Sequence, residues 1–430
     1  MIPLTFTAKI LRAFMTSCFA GMATCASSAQ LVITSDPAAS TLTLERALTL
    51  AGAASPSIEA AQAGVRATDA GRLGAGLRPN PTLNGGLEYF GGSGEYRGFR
   101  SAEATVSLAL PIEIGGKRSA RIAVAVAQGN LSRVALSIAA ADLRLAVTQS
   151  YIEATAAERS VVTAREQARL AEEAARVASV RVRAGRASPI EQERANVLRI
   201  NADGAVERTQ RLAQVARSNL ALRIGRPTTE PLDLPWFDRV QRVGLFPVQV
   251  TGSTLALAAV RAELTTAEAQ VRLARSQRLP DLTVSAGARR IQATNDIAAV
   301  AGVSIPLPLF NKGNAAIAQA RAQRDRADAL RRAAELDVAQ AVASAQAEAA
   351  NAATSAQIAS GPALAAAMEA ARIARIGYRE GKFGQLDLLD AERTLSETRT
   401  TAIDALATYH DARARLERLI AAAPVSAKDQ

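Results

Sequence analysis

The chain is poor in aromatic side chains: one Trp, five Tyr and nine Phe make up 3% of its 430 residues. Globular cores lean on rings for buried area, so several ordinary cores in one chain of this length are not expected. Cysteine is almost absent. Both copies, Cys18 and Cys25, fall in the first 30 residues, which leaves the remainder without a disulfide or a thiolate metal site. Histidine occurs once, as His410 beside Tyr409, and reads as a satisfied or solvated side chain rather than a ligand. No G-x-S-x-G elbow, Walker loop or Cys/His cluster appears. Gly71-Arg72-Leu73-Gly74 and Gly91-Gly92-Ser93-Gly94 lack the strand-turn-helix context of a phosphate loop and read as boundaries. These gaps point away from an enzyme, a cofactor and a metal centre. Beyond the N-terminal leader no uninterrupted apolar run approaches about 20 residues, so a bilayer crossing would have to be made by strands.

What is abundant is Ala, Arg, Glu and Leu, the composition of long helices packed at close range. Lys and Arg number 51 against 40 Asp and Glu, a net charge of +11. The arginines are interleaved with acids at helical spacing, as in Arg324-Asp325-Arg326-Asp328 and Glu392-Arg393-Glu397. That pattern belongs to solvated helix faces, and no aromatics are interleaved for bases to stack on, so nucleic acid is not the expected partner.

The first residues read as an address. Lys9 and Arg12 precede an apolar stretch from Ala13 to Ala26, and Ser27-Ser28-Ala29-Gln30 suits cleavage after Ala29, giving a signal peptide over 1–29. The other reading is a lipidated Cys25 after Met22-Ala23-Thr24. Both send the chain beyond the inner membrane of a Gram-negative-type cell.

The remainder is duplicated. Arg181-Val182-Arg183-Ala184-Gly185 and Gly377-Tyr378-Arg379-Glu380-Gly381 each interrupt a long Ala/Arg/Glu-rich tract, and Gly185 and Gly381 are 196 positions apart. Pro111 before Gly115-Gly116-Lys117-Arg118 and Pro308 before Asn311-Lys312-Gly313-Asn314 recur at an offset of 197. Repetition of landmarks at one offset marks two copies of a supersecondary unit. The expected organisation is a first repeat over 30–224, a connector over 225–254 carrying the only Trp, a second repeat over 255–422 and a tail over 423–430.

Each repeat opens with helices. Thr41 or Thr43 can cap the first, and Ser55-Pro56 separates it from the next. Period-2 alternation then predicts strands at about 81–90 and 100–110, with a second pair at about 281–291 and 299–309. Ten or so residues suffice for a tilted strand to cross a membrane. Two isolated hairpins cannot lie in lipid, because open edges leave backbone groups unpaired, so four strands per chain imply closure by more than one copy. Two chains would supply eight strands and three would supply twelve.

Helix tracts at 116–183 and 190–224, and again at 313–380 and 385–422, are expected to fold back at tips near 184–189 and 377–387, where glycines permit the reversal. Leu388, Leu395, Ala402, Tyr409 and Leu416 recur every seven residues as a coiled-coil seam, and Ser360-Gly361-Pro362 predicts an interruption.

The duplication, the paired strands and tips, and Asp387-Leu388-Leu389-Asp390-Ala391 resemble the TolC family of outer-membrane efflux factors. Leu110-Pro111-Ile112-Glu113-Ile114-Gly115-Gly116-Lys117-Arg118 and Ile305-Pro306-Leu307-Pro308-Leu309-Phe310 look like its CzcC-like heavy-metal branch, although Phe310-Asn311-Lys312-Gly313 is a shorter turn than the branch's Phe-x-x-x-x-Gly. The resemblance implies a homotrimer with a twelve-stranded β-barrel and a twelve-helix periplasmic α-barrel. It implies a passive duct served by a periplasmic membrane-fusion adaptor and an inner-membrane proton-driven RND pump. It also implies adaptor docking at the Gly185 and Gly381 tips and a pore gate made of Asp387, Asp390, Tyr378 and Lys382. Drug efflux or type I secretion is the alternative within the family, and a periplasmic α-helical adaptor is the alternative outside it.

Overall fold

A computed structural model describes residues 41–241 and 254–423. The expected leader at 1–29, residues 242–253 of the connector and the tail from 424 onward lie outside the described residues. In chain order the elements are α1 (Leu44–Ala54), α2 (Pro56–Ala75), β1 (Thr82–Glu88), β2 (Glu103–Ile112), α3 (Lys117–Arg183), α4 (Pro189–Ile224), α5 (Leu234–Phe237), α6 (Leu255–Ser276), β3 (Leu282–Ile291), β4 (Asp296–Ser304), α7 (Asn314–Ile358), α8 (Leu364–Arg379) and α9 (Gln385–Leu419).

Local chemistry accounts for most of the boundaries. Thr43 caps α1 by accepting from the Arg46 amide at 3.3 Å, and α2 starts on Pro56, whose missing donor costs nothing in a first turn. β1 stops at Tyr89, which adopts a left-handed φ of 54°. The fourth strand departs from expectation at both ends. It begins at Asp296 rather than about 299, and it ends at Ser304 rather than 309, because Pro306 and Pro308 have no amide to extend a ladder.

The strands do not form two separate hairpins. β2 pairs antiparallel with β3 from Glu103↔Ile291 to Ile112↔Leu282, which fuses both pairs into one sheet of order β1-β2-β3-β4. Register then sorts the side chains into two unlike faces. One face carries Leu83, Val106, Leu108, Leu110, Val284 and Val303 with small residues between them. Its large side chains are exposed. The other face carries Asn84, Glu88, Glu103, Thr105, Ser107, Ser285 and Arg289. A sheet that turns its apolar face outward inverts the soluble arrangement.

Below the sheet, α3 runs unbroken for 67 residues, about 100 Å at 1.5 Å per residue. By length and composition α3 also contains a window whose mean hydropathy would suit a membrane, although polar residues interrupt it, and only 17% of that window is buried. It packs instead against α2, α4, α6 and α9. The seams are largely alanine, as at Ala154, Ala178, Ala216, Ala349, Ala353 and Ala356, which lets helix axes approach toward the lower end of the usual 8–10 Å. The heptad positions Leu388, Leu395, Ala402, Tyr409 and Leu416 are all buried.

Aromatic residues gather where the connector crosses the helices. Phe237 sits in a cluster with Ile152, Leu406, Tyr409 and Leu416, while Tyr151 sits in another with Leu42, Leu220 and Ile224, and Trp236 touches both. Tyr151 donates to the Leu42 carbonyl at 2.7 Å and accepts from the Asp233 amide at 3.2 Å. Burial pushes this phenol up to about 12, so it stays a donor at any physiological pH.

The interruption falls at Ala359–Ala363, a wide turn in which Gly361 takes φ −102° and ψ −105°. Buried positions before it recur at sevens, as in Ala345, Ala352 and Ala359, and so do those after it, Ala367 and Ala374. Across the turn the interval is eight. The turn therefore absorbs one extra residue and returns α8 to the same face.

Candidate functional site

Both helix reversals use one device. At the first, Gly185 has φ +69°, its amide donates to the Val182 carbonyl at 3.0 Å and the Arg186 amide donates to the Arg181 carbonyl at 2.8 Å. At the second, Gly381 has φ +73°, with Gly381 to Tyr378 at 3.1 Å and Lys382 to Gly377 at 2.8 Å. These paired bonds satisfy the last helical carbonyls and require the left-handed residue that glycine supplies without strain. A side chain at either glycine would meet open space, so conformation rather than crowding selects it.

The two tips are joined side by side within one chain. The Tyr378 ring lies under the Arg181 guanidinium, 4.4 Å from its centre, and Arg181 Nη1 donates to the Tyr378 carbonyl at 3.3 Å. Tyr378 Oη donates to Glu191 Oε2 at 3.4 Å, and Gln385 Nε2 donates to the Glu191 carbonyl at 2.7 Å. Tyr378 is only 3% exposed, and burial, opposed by Arg181 and reinforced by Glu191, holds its phenol above the ordinary value of 10.0. It is thus a protonated donor facing a carboxylate acceptor. Farther up, Arg375 pairs with Glu392, Nη2 to Oε2 at 2.9 Å, while Arg399 pairs with Glu166 at 3.0 Å and Gln167 with Ser396 at 2.7 Å. The fork-to-fork bond to Glu392 raises the Arg375 pKa above its ordinary value.

Asp387 lies on the first turn of α9 and Asp390 on the second, both exposed. Asp387 Oδ2 accepts from the Gly384 amide at 2.9 Å, so one of its oxygens caps its own helix. Its other oxygen remains available to solvent. Lys382 is exposed and forms no ion pair among the described residues. Tyr378 and Lys382, expected beside Asp387 and Asp390 in the gate, differ in what they meet: Tyr378 faces Arg181 and Glu191. Those two partners were missed, and the repeat itself points to one of them. Glu191 precedes Asp387 by 196 positions, the offset that separates the two tips, so the equivalent first-turn acid caps in one repeat and crosses to the neighbouring hairpin in the other.

Between the hairpins a groove of about 970 Å³ is lined by Leu198 and Asn201 of α4, Tyr378 and Arg379 of α8, and Leu386 and Asp390 of α9. Among the described residues no group of three or more His, Cys, Asp or Glu is arranged to hold a metal ion. His410 is not a candidate ligand, because its Nε2 is bound to the Phe237 carbonyl at 2.9 Å and its ring is stacked on Trp236.

The model of the outer membrane efflux protein family matches this chain twice, over residues 47–226 and 247–422, one match per repeat. The chain is 32% identical to the cobalt-zinc-cadmium resistance protein CzcC of Cupriavidus metallidurans over 387 residues, which cover 89% of this chain and 91% of that protein. It is 31% identical to the nickel and cobalt resistance protein CnrC of the same organism over 299 residues, 67% of this chain and 69% of that one. Its fold is similar to the outer membrane protein VceC of Vibrio cholerae, with a TM-score of 0.72 at 19% identity over 88% of this chain and 96% of that one.

Proposed function

The chain belongs to the outer membrane efflux protein family, a family of efflux channels and not of enzymes, and on that premise we propose that it is the passive, non-enzymatic exit duct of a tripartite RND pump for heavy-metal cations. The sheet carries the argument. Its apolar face suits lipid, yet β1 and β4 end in unpaired edges, and each unpaired backbone group in hydrocarbon costs several kcal/mol. Joining β4 of one copy to β1 of the next removes every edge. Two copies would close at eight strands, a diameter that side chains fill, whereas three copies close at twelve and leave an open lumen. The same three copies bring together twelve long helical arms, covering the α3 surface that one chain leaves bare.

Cations are the substrate class that fits. CzcC and CnrC are resistance proteins for cobalt, zinc, cadmium and nickel by name, and the polar face of the sheet carries Glu88, Glu103 and Asp296 in one row, which stays net acidic although Arg289 pairs with both glutamates. A lumen lined this way disfavours organic anions, which ranks drug efflux or protein secretion second. The Gly185 and Gly381 tips are the docking points for a periplasmic adaptor. At those tips Asp387 and Asp390 form the charged ring of the gate, with Tyr378 locking its hairpin to the neighbouring one and Lys382 at the rim.

Single-channel recording tests the gate. Asp387→Asn with Asp390→Asn keeps an acceptor for the Gly384 amide and removes only charge, so the double variant should stay folded, lose cation selectivity and lose block by added divalent cations. Unchanged selectivity and block would confine both aspartates to capping α9.

A further inference from the structure

On the apolar face of the sheet one position breaks the pattern. Arg290, paired with Ala104 and Ile297, projects from that face one residue before β3 ends. Its Nη2 donates to the Asn295 side chain at 2.9 Å, and no carboxylate pairs with it among the described residues. The loop beyond β1 adds Arg97 and Arg100, both exposed and likewise without an ion pair among the described residues. It also adds four exposed rings, of which Tyr89 and Tyr96 stack at 5.1 Å while Phe90 and Phe99 are 56% and 67% exposed. Of the acids at this level, Glu88, Glu103 and Asp296 belong to the opposite face, while Glu95 stands exposed in the loop itself, in no ion pair among the described residues. The polar face thus keeps its one arginine, Arg289, paired with Glu88 and Glu103, whereas Arg290 on the apolar face has no carboxylate beside it.

Resting on the reading of this sheet as part of an outer-membrane barrel, we infer that Arg97, Arg100 and Arg290 form a recognition surface for the phosphate groups of the outer-leaflet glycolipid. Exposed rings mark the level where hydrocarbon gives way to headgroups, and an arginine at the hydrocarbon midplane is costly while one near the interface costs little. A guanidinium there with no protein carboxylate keeps donors to spare, even at Arg290 where one goes to Asn295, and its planar fork suits phosphate oxygens. The strands return to the periplasmic helices at their other end, so this loop end faces outward. The lipid there bears phosphates on a sugar headgroup, directly beside a face that takes acyl chains.

The test uses the full-length protein in zwitterionic detergent, titrated with diphosphorylated lipid A and, separately, with the same lipid stripped of phosphate. Thermal unfolding should shift upward with the first and not with the second. In the triple variant Arg97→Gln, Arg100→Gln, Arg290→Gln the half-saturating lipid A concentration should rise about tenfold or more, with the unfolding temperature in detergent alone unchanged. Equal response of the triple variant, equal response to the dephosphorylated lipid, or the full shift reproduced by inorganic phosphate would each overturn the inference. Should the triple variant unfold early without lipid, the Arg290→Gln single variant decides by the same titration. A chain that neither binds detergent nor fractionates with outer membranes would instead sink the barrel reading beneath it.

Discussion

His410 is buried among Trp236 at 4.3 Å, Tyr409 at 4.9 Å and Phe237 at 5.6 Å, with Arg413 the nearby cation. Burial disfavours its charged form and holds its pKa below the ordinary 6.5, and Arg413 adds to that shift while the Phe237 carbonyl opposes it. The folded state therefore binds the proton less well than the unfolded one. Its contribution to stability is complete above pH 6.5 and is lost as pH falls toward the lower folded value, at no more than about 1.4 kcal/mol per pH unit. Thermal unfolding followed from pH 7.5 to 5.5 should show this loss, and His410→Gln should flatten the slope; an unaltered slope in the variant would assign the effect elsewhere. Two glycines separate backbone from side-chain crowding. A methyl at Gly287 would lie 2.2 Å from the Val106 carbonyl oxygen, whereas one at Gly377 would lie 2.1 Å from the Phe383 ring. The ring is at the surface and can turn away, and helix propensity repays about 1 kcal/mol at Gly377. The carbonyl cannot move without breaking the β2–β3 ladder. Gly287→Ala should thus cost about 1–3 kcal/mol by denaturant titration, and Gly377→Ala close to nothing. Equal costs would contradict this account.

Among the elements, the wide turn at Ala359–Ala363 is the most informative. Its position was legible, since Pro362 removes a donor and crowds the preceding turn. Its effect on register was not, because a proline announces a break without saying how many residues the break absorbs. Deleting Gly361 together with Pro362→Ala should turn residues 314–378 of the shortened chain into one regular helix with its alanine seam in phase at sevens. Unfolding should then require more denaturant. A variant less stable than the parent would show that the turn is packed in place rather than inserted. The β4 boundary was misread for a related reason, as alternating apolar residues continue through Ile305, Leu307 and Leu309 while every second residue is a proline. Apolar periodicity records which way side chains point, whereas strand pairing needs amides. Likewise, nothing local in either hairpin announces that β2 will find β3, because that ladder joins residues nearly two hundred positions apart.

For the whole assembly the decisive quantity is copy number. Purified in mild detergent, the protein should have the mass of three chains after subtraction of bound detergent, and light scattering that gives one or two would remove the twelve-stranded closure. The tandem organisation was legible because the same landmarks return at the same offset. The tip lock was only half legible: the glycines and aspartates stand in a motif, but Glu191 and Arg181 acquire their roles by meeting Tyr378 across the fold, and only the offset of 196 between Glu191 and Asp387 gives a hint of it.

The two repeats differ mechanically in one respect. α3 is a solid column of 67 residues, whereas residues 314–379, nearly the same length, contain one compliant link at Ala359–Ala363. When two parallel beams are loaded at their ends, deflection collects in the compliant one, and everything beyond the link swings as a lever. Here the lever is α8, 16 residues or about 24 Å long. A swing of about 10° would carry its end roughly 4 Å, since stroke is arm length times angle. The Tyr378–Glu191 bond spans 3.4 Å, so a small rotation at a point four helical turns away is enough to part the two tips while α3 stands still.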